Sequence, residues 1–201
     1  MQQPIDIRSQ IEKLLENDLR DKICKPLLCA LEVSYVKKYH GSREEGKDLY
    51  FAYESPFGDF KHSCLFIKAG EIKMSGRNDP RLMQPKMQQA ICTPFTSPID
   101  NHTQIFIEEF YLLCNGEINI NAREYLRTIF ERRQFPNYKV YDIDSLVLII
   151  KRIIAKYAEK IDRSYVFSVD TFTGFCNKIV KYNEQFRPTE ISYGMYLADQ
   201  I

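Results

Sequence analysis

The chain predicts an α/β fold, a mixed central sheet flanked by helices, with a helical appendage at its C-terminal end. Three observations point there. Apolar residues recur at helical spacing at 5–31, 79–91 and 144–161. Short runs rich in β-formers lie between those stretches, at 48–53, 62–68, 103–114 and 139–142. The two periodicities alternate along the chain, and that pattern buries helices against a sheet.

In the first stretch Ile7, Ile11, Leu14, Leu15, Leu19 and Ile23 form the apolar stripe, and Pro26 is expected to end or kink the helix. Residues 33–39 are extended and lead into a turn at Gly41. The runs 48–53 and 62–68 flank Ser55-Pro-Phe-Gly58-Asp and read as a β-hairpin. Leu82, Met83, Met87, Ala90 and Ile91 mark a helix with Pro85 near its first turn. Residues 103–114 read as one central strand ended by Asn115-Gly116. Asn121 is the expected cap of a helix over 122–132, and Asp144 that of a helix through 161. The division is therefore one domain over 1–163, then a Tyr/Phe-rich segment over 164–201 that is a helical appendage or a partner-docking element.

Hydrophobic residues make up 44% of the 201, enough for a substantial core. The formal net charge of +1 excludes a global basic field, so nucleic-acid binding would need a local patch. The cysteines show no CxxC pair and no zinc-like spacing with histidine, and Cys64 and Cys114 sit in apolar runs as reduced thiols do. No run of about 18 apolar residues suggests a membrane span, and the first residues lack a secretory signal core. The expected location is the cytoplasm, without membrane attachment. A Gly-rich phosphate loop, a nucleophile elbow and a helix-turn-helix signature are all missing, which argues against several other enzyme classes.

The chemistry-bearing stretch is Gly41-Ser-Arg-Glu-Glu-Gly-Lys-Asp48 followed by Cys64-Leu-Phe-Ile-Lys68-Ala-Gly70. An Asp opens one strand and a Lys lies near the end of the next. An isolated Asp in a charged turn, or a Lys at a strand end, is by itself commonly structural. Their pairing on neighbouring strands is what a metal-dependent nuclease needs: the carboxylate holds a divalent cation and the ammonium steadies water and developing charge. His40, His62 and His102 lack ligand spacing, and Arg127, Arg132 and Arg133 form a small basic helix face whose default role is solvation. Of Glu108 and Glu109, one is expected to face solvent at a sheet edge.

These motifs, in this order, resemble the restriction-endonuclease-like superfamily with the PD-(D/E)xK core, closest in texture to its Mrr-like branch. The likeness spans about residues 10–150 and includes the glutamines Gln84, Gln88 and Gln89, the strand ending Asn115-Gly116, and Asn121-Ala-Arg-Glu-Tyr125. The resemblance implies Asp48 as a metal-binding carboxylate, Lys68 as the catalytic lysine, Glu45 as a contributor to catalysis and metal binding, and Glu12 or Glu16 as an acidic helper on the first helix. It implies Gln88 or its neighbours near water or DNA backbone, Mg²⁺ (or Mn²⁺) as cofactor, DNA as substrate, and a role in bacterial restriction or anti-phage defence. With no sequence-reading module present, specificity or activation is expected from a homo-oligomer or a partner protein.

Phe66 departs from the pattern. The family places Glu, Asp or Gln there, two residues before the Lys and on the same strand face. A phenyl ring gives no oxygen to a hard cation. Two accounts stay open: a carboxylate elsewhere (Glu45, Glu71 or a first-helix Glu) takes the role, or the metal site is silent and the fold serves nucleic-acid binding or assembly.

Overall fold

The computed structural model describes residues 6–31, 33–39, 47–55, 58–99, 102–132, 135 and 137–186. Helix α1 (Ile7–Glu12) opens the described chain, capped by the Asp6 carboxylate, which accepts from the Arg8 amide. After a break at Lys13 to Leu15 comes α2 (Glu16–Asp18), which runs through a π-helical turn (Leu19–Cys24) into α3 (Lys25–Ala30). The helix is thus interrupted at 13–15 and not at Pro26, which takes an early position of α3.

Strands β1 (Tyr35–Lys38), β2 (Leu49–Glu54) and β3 (Phe60–Lys68) form an antiparallel meander. Helix α4 (Pro80–Cys92) then crosses over to β6 (Glu109–Cys114), which pairs parallel to β3. Helix α5 (Ile120–Arg132) leads to β7 (Tyr138–Tyr141), parallel to β6, and α6 (Ile143–Ile161) and α7 (Val169–Phe186) follow. The strand order in this mixed five-stranded sheet is β1-β2-β3-β6-β7. Residues 103–114, expected to be one strand, divide in two. Gln104–Ile105 (β5) pairs with Phe95–Thr96 (β4) in a small separate ribbon, and only 109–114 enter the main sheet.

Both faces of the sheet are covered, and the side-chain period of two sorts residues between them. On β3, Leu65 and Ile67 join a core with Ile11, Leu19, Ile23, Leu146 and Ile150. Cys64 and Phe66 join a second core with Met83, Met87, Leu126 and Phe130. The result is three layers. Helix α6 buries Leu146, Ile150, Ile153 and Tyr157 at the spacing of one helical stripe. The segment expected as an appendage supplies α7, whose Phe172, Phe175, Cys176 and Ile179 lie in the same core as α1 and α6. Residues 187–201 lie outside the described residues.

Two caps differ from expectation by two residues. Asn119, not Asn121, caps α5 by accepting from the Asn121 amide at 2.9 Å. Asp142, not Asp144, caps α6, accepting from the Ser145 amide at 3.0 Å. Asp144 instead pairs with Arg8, which also engages Glu12 and Glu117. Pro85 lies in the second turn of α4, on its exposed side, where the carbonyl that loses its helical donor faces solvent rather than the core.

Of the two adjacent glutamates, Glu108 is exposed and accepts from the His62 amide. Glu109 is half-buried at the start of β6, and its carboxylate accepts from the hydroxyls of Tyr53 (2.8 Å), Tyr111 (2.7 Å) and Ser63 (3.3 Å). Burial acts to raise the Glu109 carboxyl, but the tyrosine hydrogen bonds and nearby Lys139 outweigh it and leave it below its ordinary value. A carboxyl depressed in the folded state adds stability that is fully present above its unfolded value of about 4.5 and is lost as pH falls through the lower folded value. Glu109→Gln is expected to lower stability at pH 7 and to flatten the loss of stability below about pH 4.5, read from urea midpoints between pH 3 and 7.

Candidate functional site

Asp48 sits one step before the Leu49–Leu65 pair, so it lies opposite Phe66 at the end of the β2–β3 ladder. Its amide donates to the Leu65 carbonyl (3.1 Å) and its carbonyl accepts from the Tyr39 amide (3.3 Å). The side chain is 6% exposed, and its Oδ2 accepts from the Ile67 amide at 2.7 Å. The carboxylate therefore does structural work, supplying the acceptor that the ladder would otherwise lack there.

Lys68 ends β3. Its Nζ lies 4.5 Å from the centroid of the Phe66 ring and donates to Glu16 Oε2 at 3.0 Å. Phe66 and Lys68 share a strand face. The lysine stem crosses the ring, and the ammonium reaches the first helical segment at the end of the sheet. Phe66 is 2% exposed and belongs to the core beneath α4 and α5, so the position two residues before the lysine is an apolar plug. An ammonium over an aromatic face is held by the ring's quadrupole.

Glu16 reaches Lys68 because the chain breaks after α1, and Asn115 holds that break. Its Nδ2 donates to the carbonyls of Ile11 (2.8 Å) and Leu14 (2.9 Å), and its Oδ1 accepts from the Gly70 amide (2.6 Å). One buried amide thus ties the end of β6 to the end of α1 and to the exit of β3. Gly116 completes the joint: a Cβ there would lie 2.5 Å from the backbone of Gly70 and Glu71. Gly70 itself has φ +87°, a conformation that glycine adopts without strain. Asn78 braces the same exit by donating to the Ala69 carbonyl at 2.7 Å.

The remaining expected site residues do not join this group. Glu12 is engaged by Arg8 (2.6 Å), so Glu16 and not Glu12 is the first-helix acid at the lysine. Glu71 is exposed and pairs with Lys73. Gln84 accepts from the Tyr125 hydroxyl, and Gln88 lines a cavity with Ile129 and Phe135; both face α5 rather than the Lys68 end. Glu45, His40 and Arg133 lie outside the described residues. His62 meets the Tyr50 hydroxyl at 2.7 Å, His102 is exposed, and Arg127 pairs with Glu131.

The structure also brings forward charges that the sequence pattern passed over. Lys47, beside Asp48, is fully buried with its ammonium 4.9 Å from the Phe95 ring. Arg20 in the π-helical turn is 5% exposed and pairs with Asp21, which also takes Lys38 of β1. Burial acts to raise the Asp21 carboxyl, yet the hydrogen bonds from Arg20 and Lys38 leave it below its ordinary value. The sequence signal for this cluster was the Arg-Asp pair inside an apolar helical stripe, where a charge needs a partner.

Among the described residues no three His, Cys, Asp or Glu side chains gather to hold a metal. Asp48 and Glu16 are both hard oxygen donors. Magnesium takes one or two carboxylates of that kind and keeps waters and substrate phosphate for the rest.

Asp48→Ala removes the acceptor of a buried amide and is expected to cost about 1–3 kcal/mol, whereas Asp48→Asn keeps an oxygen there and costs less. Asn115→Ala, which strands two carbonyls and one amide, is expected to cost about 3 kcal/mol or more. Urea denaturation of the three variants checks the order.

Comparison with family models, with curated proteins and with solved structures gives no match for this chain.

Proposed function

We propose that this chain is a divalent-metal-dependent deoxyribonuclease with a restriction-endonuclease-like core, working in a bacterial restriction or anti-phage setting. The observation that carries the reading is the ion pair of Lys68 with Glu16 at the sheet end where β2 starts from Asp48. The order of elements also supports it: an initial helix, an antiparallel meander, a crossover helix and a parallel strand ending in Asn115-Gly116.

In this reading Asp48 and Glu16 would hold magnesium, which when bound supplies neutralisation of the scissile phosphate. Glu16 stands in for the acid that Phe66 displaces. Lys68 donates to the attacking water and offsets the charge that develops on the phosphoryl oxygens. Glu16 and the Phe66 ring restrain its ammonium, so little orientation is lost during reaction. Water is added across a DNA phosphodiester bond, leaving a 5′-phosphate and a 3′-hydroxyl.

A second reading, a catalytically silent nucleic-acid-binding or assembly subunit, is favoured by Phe66. Its ring fills the place of an acidic ligand, while the Asp48 carboxylate serves the Ile67 amide. The same experiment separates the two: plasmid cleavage with Mg²⁺ or Mn²⁺, alongside thermal denaturation with and without metal, for wild type, Asp48→Asn, Glu16→Gln and Lys68→Met. The nuclease reading expects metal-dependent cutting, reduced at least about 100-fold in each variant. It also expects a metal-induced rise in Tm that Asp48→Asn and Glu16→Gln lose. Absence of both cutting and metal stabilisation leaves the silent subunit.

A further inference from the structure

The charges of α6 are sorted along its length. Asp144 stands in the first turn and is held by Arg8; beyond it the helix carries Lys151, Arg152, Lys156 and Lys160 against Glu159 alone. All five of these side chains are exposed. Arg152, Lys156 and Lys160 recur every fourth residue, so they form one row, about 6 Å apart along the axis and about 12 Å from end to end. Among the described residues, no carboxylate lies within ion-pair distance of Lys151, Arg152 or Lys160. The arginines of α5 differ: Arg123 is taken by Asp142 and Arg127 by Glu131.

Aromatic rings steady the row. The Lys156 ammonium lies 4.7 Å from the Tyr157 ring centroid, and that of Lys160 lies 5.9 Å from the centroids of both Tyr157 and Tyr182. A cation held over a ring loses less freedom when it meets a ligand. The surroundings do not cancel the row. Helix α7 carries Lys178 and Lys181 against Asp170 and Glu184, no net charge, and Arg163 offsets Asp162. The sheet end at Lys68 has the opposite balance, with Glu12, Glu117 and Asp144 all on Arg8 and Glu16 on Lys68. A polyanion is therefore drawn to α6, from about 12 Å beyond Asp144 onward. The apolar stripe of α6 is spent in the core, and Leu148 is its one large apolar side chain left exposed. A helix that lies in a membrane interface needs that apolar face free.

We propose that Arg152, Lys156 and Lys160 dock the phosphate backbone of duplex DNA in a sequence-independent contact. A single row of cations suits a linear polyanion, whose phosphates follow one another along one strand. Such contacts orient a duplex without reading its bases. Helix α6 starts where β7 ends, at the same end of the parallel strands as Lys68, so a duplex lying along the row runs toward that end. The choice of DNA rests on the nucleic-acid reading above, but the contact needs neither metal nor cleavage.

The test is fluorescence anisotropy of a short labelled duplex with the full chain in EDTA, from about 50 to about 200 mM NaCl. The row variant is Arg152→Gln/Lys156→Gln/Lys160→Gln. A control, Lys86→Gln/Arg127→Gln/Arg132→Gln, removes the same charge from exposed positions on the opposite layer, and thermal melts confirm that both are folded. Wild type is expected to bind with a log–log salt slope of about −2.7 or steeper, as three phosphate contacts require. The row variant loses at least about 2 from that slope and binds at least about tenfold more weakly at low salt, while the control keeps most of it. A row variant that does not fold is replaced by Arg152→Gln and Lys160→Gln singly, each reducing the slope by about 0.9. No binding at low salt, an unchanged slope in the row variants, an equal loss in the control, or tighter binding to phosphatidylserine vesicles or polyglutamate than to DNA overturns the assignment. DNA binding that depends on the row, without cutting when Mg²⁺ is supplied, upholds the surface and removes only the nuclease reading.

Discussion

The carboxamide of Asn115 is the constraint on which the candidate site depends. It is 1% exposed and joins three pieces of chain that are distant in sequence: the end of α1, the exit of β3 and its own strand, β6. Each bond answers a backbone group left over where an element stops, and such groups are costly to bury unmet. Because α1 must stop where its last carbonyls meet Asn115, the chain restarts at Glu16 beside Lys68. Gly116 allows the same joint to close by bringing its backbone against Gly70 and Glu71. The register between β3 and β6 then continues past the strand ends, where Ile72 bridges Ile118 in parallel.

Around this joint the protein buries an unusual amount of charge at one end of the sheet. Asp48, Lys47 and Arg20 are all nearly inaccessible. Each has a physical reason to remain charged: Asp48 takes a backbone amide, Arg20 an aspartate, and Lys47 lies over an aromatic face. Desolvated charges of this kind cost several kcal/mol unless met. Their arrangement fixes the path of β1, β2 and the π-helical turn. Phe66 belongs to the same balance. On a strand covered on both faces it adds apolar contact to the core under α4, and it gives Lys68 a surface to lie across. A ring that packs so well leaves this position without an oxygen donor.

Much of this was legible along the chain. The hairpin, the crossover helix and α6 follow from periodicity, because one apolar stripe or one alternating run suffices to define each. That Asp48 and Lys68 come to the same end of the hairpin was readable for the same reason, as residue spacing sets which strand ends meet. The expected ion pair between them is not formed: Lys68 pairs with Glu16, and Asp48 takes the Ile67 amide. The cap of α5 was less so. Asn119 and Asn121 both satisfy the local preference, and which one caps depends on where the backbone leaves the Ile72–Ile118 bridge. Residues 103–114 show the same limit: twelve residues of β-formers read as one strand, but the fold spends two on a ribbon with Phe95 and Thr96. Pairing partners are non-local, and no propensity carries them.

The sequence by itself determined the α/β class, the positions of most elements, and the placement of Asp48 just before one strand and Lys68 at the end of its neighbour, because these rest on composition and short-range spacing. Tertiary structure alone decided which acid meets the lysine. Glu12 and Glu16 stand on the same stretch, and only the break held by Asn115 turns one toward Arg8 and the other toward Lys68. It also decided that α7 completes the core with α1 and α6. Those outcomes come from contacts between residues far apart in the chain, whose geometry is set only when the layers pack.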